Sequence, residues 1–99
     1  MSNTNAKNKT TRNAMNIDRL KEQLLIDEGL ELFPYRCSAD KLTIGVGRNL
    51  EAIGITKEEA MFLLDNDIKN VAFQCKVEFD WFEDLNDVRK EAIINLVFN

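Results

Sequence analysis

Between two stretches of helical periodicity the chain carries a single stretch with strand character, "LELFPYRCSADKLTIGVGRNL", from Leu30 to Leu50. Ser38-Ala39-Asp40 reads as a hairpin turn, so the segment provides a small antiparallel sheet of two or three strands. In its second half Leu42, Ile44 and Val46 point one way, and Thr43, Gly45 and Gly47 point the other. One apolar face and one bare face suit a sheet packed on one side only. Glycine inside a strand weakens it and usually marks a bulge or a close approach by something else. Thr43 is therefore expected on an uncluttered surface, with a ligand able to come near the backbone. A merely flexible hairpin explains the same pattern, and the residues alone leave both readings open.

Upstream, Asn16 can cap a helix whose inward residues are Ile17, Leu20, Leu24 and Leu25. Gly29 is its stop signal, which places Glu28 in the last turn. A carboxylate there opposes the helix dipole, which favours Lys or Arg at that end. A solvated Glu at a frayed helix end is the plainer account of that position. Downstream, "ITKEEAMFLLDNDIKNVAFQC" opens with Thr56 as cap and Glu59 completing a capping box. Ala60, Met61, Leu64, Ile68, Val71, Ala72 and Cys75 form its apolar stripe. "EFDWFEDL" reads as a short helix with aromatic anchors, and Asn86 caps "DVRKEAIINLVFN".

That last helix is apolar on almost every side from Ala92 to Phe98, and a helix of that kind needs partners all round. The chain stops at Asn99 without a glycine, a proline or a closing cap, so the sequence reads as interrupted. The expected fold is α+β, organised as a basic tail over 1–15, a first lobe over 16–56, a connecting helix over 57–75 and an incomplete helical lobe over 76–99.

Ninety-nine residues suit one small domain, or one lobe plus part of another. The net charge of −4 argues against a general nucleic-acid binder, including a helix-turn-helix protein, because phosphates need a basic face. No histidine is present, so the commonest general base and metal ligand is missing. Cys37 and Cys75 fit neither a zinc site nor a disulfide framework, and a reducing cytosol is the easier reading. No metal or cofactor is expected. The opening "MSNTNAKNKTTRNAMN" carries Lys7, Lys9 and Arg12 with no acid, and reads as a disordered tail without the apolar core of a signal peptide. No apolar run reaches the length of a membrane span.

"IDEGL" followed by Tyr35, then "TIGVGRNL", "ITKEEA" and "VRKEAIINLVF" occur in the order found in phage-type lysozymes, and from about Asn16 to Asn99 the chain resembles that family. Its pattern of Glu, eight residues, Asp or Cys, five residues, Thr is met in full by Glu28, Cys37 and Thr43. The resemblance implies that Glu28 is the general acid protonating the glycosidic oxygen. Cys37 would stand where many relatives have Asp, with Thr43 orienting the water or the sugar. Asn49 and Phe98 would contact substrate. Cys37 can replace a carboxylate only as a thiolate, and Arg36 beside it is expected to favour that form. Arg48 stands where many relatives have His.

The resemblance further implies a muramidase that cuts the β-1,4 bond between N-acetylmuramic acid and N-acetylglucosamine in peptidoglycan for host lysis. It would accumulate in the host cytoplasm and reach the wall with a holin. The family's second lobe continues beyond "INLVF", so the chain reads as truncated there, with polysaccharide binding expected to be weak. The alternative is an inactive relative that binds sugar or protein, or associates with itself, through the exposed apolar residues of its last helix.

Overall fold

The computed structural model describes residues 14–98, so the basic tail expected over 1–15 lies almost wholly outside the described residues. The chain divides into two compact units between Gly54 and Ile55.

The first unit opens with α1, Ile17–Glu28. Asn16 Oδ1 accepts from the Arg19 N–H at 2.9 Å, satisfying one of the free donors of the first turn. Gly29 closes the helix at φ +79°, and its N–H reaches the Leu25 carbonyl at 2.9 Å. The end that carries Glu28 is thus capped. Ile17, Leu20, Leu24 and Leu25, expected to face inward, are each 42–48% exposed. The helical period was legible, but these residues are only half covered by the rest of the unit.

Three strands follow: β1 (Glu31–Arg36), β2 (Leu42–Gly45) and β3 (Arg48–Asn49), antiparallel and in the order β1-β2-β3. Tyr35 pairs with Thr43 and Glu31 with Gly45, so four steps along β1 span two along β2 and the edge strand bulges between them. The turn at 38–40 forms as expected. The Cys37 N–H donates to the Lys41 carbonyl at 3.0 Å, and the Asp40 N–H to the Cys37 carbonyl at 2.8 Å. Glu51 ties this hairpin to the loop beyond the sheet. One carboxylate oxygen accepts from Arg36 Nη1 at 3.0 Å and from the Leu42 N–H at 2.6 Å.

Two expectations about the glycine-rich strand are corrected. β2 ends at Gly45 as expected for a strand, and Val46-Gly47 turn the chain into β3, with φ +70° at both glycines. Gly47 thus belongs to a turn that needs left-handed backbone, not to the strand face. Thr43 is 3% exposed, the most buried polar residue described, because strands on both sides cover it. It does not stand on an open surface.

In the second unit the capping box is present in both directions: Glu59 N–H to Thr56 Oγ1 at 3.1 Å, and Thr56 N–H to Glu59 Oε1 at 2.8 Å. It starts α2, Lys57–Glu78, which runs three residues past Cys75. A 3-10 turn at Phe82–Asp84 leads to α3, Asp87–Phe98, capped by Asn86 through the Arg89 N–H at 2.9 Å. Cys75 (0% exposed) and Phe82 (3%) are the buried centre, with Lys90 Nζ over the Phe82 ring at 5.8 Å. Phe79 and Trp81 stack at 4.9 Å. α3 has no fully buried residue, although its all-round apolar pattern calls for partners on every side.

Phe82 fills the centre of this unit, whereas Phe73 is 67% exposed on α2. Phe82→Ala should lower unfolding free energy by about 3 kcal/mol or more, with Phe73→Ala near neutral. Urea melts of both variants check this, and equal midpoints would mean that Phe82 is not the anchor.

Candidate active site

Glu28 is the last residue of α1, and the Gly29 cap holds its backbone in a defined place. Its side chain lies against the β2–β3 loop. A Cβ placed on Gly47 would sit 2.7 Å from Glu28 Oε1, 3.2 Å from Cδ and 3.4 Å from Cγ. The carboxylate therefore rests where any other residue at position 47 would put its side chain. Glu28 is exposed, and no described residue donates a hydrogen bond to it. A carboxyl that is positioned yet unpaired keeps its oxygens available for chemistry.

Cys37 sits at the mouth of the first hairpin, partly exposed. Its thiol is held below the usual cysteine range, chiefly by the Lys41 backbone N–H, then by the Thr43 hydroxyl and the Ala39 N–H. The expected help from Arg36 is corrected, since its guanidinium is engaged by Glu51 at 3.0 Å and by the Asp40 carbonyl at 3.3 Å. The tight 38–40 turn performs that role by aiming N–H groups at the sulfur. Thr43 Oγ1 lies 2.7 Å from the Lys41 carbonyl and donates to it. A hydroxyl has one proton, so Thr43 serves either that carbonyl or the thiolate, not both at once.

Asn49 pairs with Thr43 across the sheet, and its Oδ1 accepts from the Ala52 N–H at 3.0 Å. That oxygen is committed to the turn after β3, which leaves the side-chain NH2 as the group that can face a ligand. Arg48 Nη1 donates to the Gly54 carbonyl at 3.1 Å and helps close the same turn. Glu28, Cys37, Thr43 and Asn49 all belong to the first unit. Phe98 belongs to the second, where it lines a groove of about 350 Å³ with Leu64, Ile68, Glu91, Ile94 and Asn95. Among the described residues no group of His, Cys, Asp and Glu side chains could hold a metal ion, and no helix is long and apolar enough to cross a membrane.

Three contributors had no clear signal in the sequence. Lys41 acts through its backbone, Glu51 through a clamp nine residues from Leu42, and Gly47 through the side chain it lacks. Only Gly47 left a trace, as one of two glycines expected to leave room for something.

A helix, a small antiparallel sheet and a long helix, in that order, make a lysozyme-like α+β arrangement. The family model described as phage lysozyme matches residues 26–99, and the chain belongs to that family of glycosidases, which acts on peptidoglycan. No curated protein matches the chain.

Cys37 should alkylate well before the buried Cys75 at neutral pH. Thr43→Val should slow the Cys37 reaction and move its pH dependence upward, because one group favouring the thiolate is lost. Mass-mapped labelling rates across pH check this, and an unchanged profile in Thr43→Val would remove the hydroxyl from the account.

Proposed function

We propose that this chain is an endolysin that hydrolyses the β-1,4 bond between N-acetylmuramic acid and N-acetylglucosamine, with Glu28 as general acid. The observation that carries the reading is the Glu28 carboxyl, unpaired among the described residues, held at a capped helix end beside the hairpin, inside the segment matched by the family model. Glu28 gives its proton to the leaving oxygen as the glycosidic bond breaks. Cys37, as a thiolate, takes the part usually played by a second carboxylate: it draws a proton from the attacking water or stabilises the cationic sugar. Thr43, too enclosed to meet a sugar broadly, acts through its hydroxyl by favouring the thiolate. Asn49 offers its amide N–H groups to the polysaccharide. The enzyme accumulates in the host cytoplasm and reaches the wall with a holin.

Glu28→Gln keeps the shape of the side chain and disturbs no hydrogen bond with a described residue, so folding should persist. Release of reducing ends from purified peptidoglycan should fall by about 10²- to 10⁴-fold relative to the parent chain, and Cys37→Asp should retain activity. Near-parental release by the Gln variant would sink the assignment.

A binding module without turnover is the second reading, favoured by one observation. α3 has no fully buried residue, and Leu96 on it is 75% exposed. An apolar surface of that kind seeks a partner, a second copy included. Sedimentation velocity over a concentration series should then show association that Leu96→Glu abolishes, and an invariant monomer would end this reading.

A further inference from the structure

We infer that Gly47 is a positioning residue for the Glu28 carboxyl, fixing it by offering bare backbone where a side chain would displace it. The inference rests on the proposed role of Glu28 as acid and adds what holds that acid in place. Gly45 and Gly47 flank the same hairpin loop and share the same φ of +70°, so both need glycine for backbone reasons. They differ in their surroundings. A Cβ at Gly45 would meet nothing within 4 Å, whereas at Gly47 it would press on Glu28 Oε1 at 2.7 Å and crowd Cδ and Cγ. The atom in the way is the far end of a flexible side chain, so a methyl group at position 47 pushes the carboxyl aside and leaves the fold in place. Glu28 accepts no hydrogen bond from the described residues that would pull it back. The space left by the missing Cβ of Gly47 is then what admits the carboxyl at this place. A shift of about 1 Å at an acid lowers turnover by around 10²-fold.

Gly45→Ala and Gly47→Ala form a matched pair, equal in backbone strain and unequal in what the methyl group meets. Both are made in the 99-residue chain and compared for melting temperature, kcat and KM on purified peptidoglycan. The Glu28 side chain is read directly, by its 13Cδ chemical shift and by the NOE between Gly47 Hα and Glu28 Hγ in the parent. The expected result has four parts: similar melting for the two variants, the NOE present in the parent, a displaced 13Cδ signal in Gly47→Ala only, and a kcat loss of tenfold or more with KM retained in that variant only. Equal kcat in the two variants, absence of the NOE in the parent, or unfolding of Gly47→Ala alone would each overturn the inference. Should the parent chain release no reducing ends, the proposed function fails, and the 13Cδ comparison still decides whether Gly47 places the carboxyl.

Discussion

Left-handed backbone at two glycines is the constraint on which the candidate site depends. Gly29 ends α1 at φ +79° directly after Glu28, and Gly47 turns the β2–β3 loop at φ +70° directly beneath the carboxyl. A residue with a Cβ pays about 1–2 kcal/mol in that region, so the chain can reverse sharply at both places only because the side chain is absent. The first reversal sends the sheet back past the helix end. The second leaves the gap in which Glu28 rests. Strand, helix and acid are thereby brought together between Ile17 and Asn49, without a large core to hold them.

That lack of core shapes the rest of the first unit. No residue of α1 is fully buried, and the sheet has one polar centre, Thr43. Order around it comes from hydrogen bonds of short range. Cys37 closes on Lys41, Asp40 on Cys37, and Glu51 gathers Arg36 and the Leu42 N–H on one oxygen. An exposed ion pair by itself contributes little, about 0–1 kcal/mol. Its value here is directional, because it engages Arg36 and stitches the loop after β3 to the start of β2. The thiol pKa is then lowered chiefly by the Lys41 backbone N–H, without needing a cation.

The second unit works by different physics. Its helices are set by local caps at Thr56 and Asn86, and its packing gathers on Cys75 and Phe82, with Glu83 near both Lys76 (3.9 Å) and Lys90 (3.4 Å). α2 and α3 leave a shallow apolar groove lined by Phe98 among others.

The sequence alone determined the features whose causes are local. Asn16, Thr56 and Asn86 cap because a short polar side chain reaches an N–H three residues on, Gly29 stops α1, and the α+β order follows from periodicity. The family was legible too, as a resemblance that the family match then showed. Tertiary structure decided what depends on residues distant in the chain. Gly47 read as strand by alternation, and the pairing of Ile44 with Arg48 puts it in a turn, while Gly45 stays in β2. Thr43 looked open from its glycine neighbours, yet strands on both sides enclose it. Arg36 looked like the partner of Cys37 by adjacency, until Glu51, fifteen residues on, claimed it. The leucines of α1 carried a correct helical period but not their degree of burial, because a period states which side of a helix faces in and never how much protein is there to meet it.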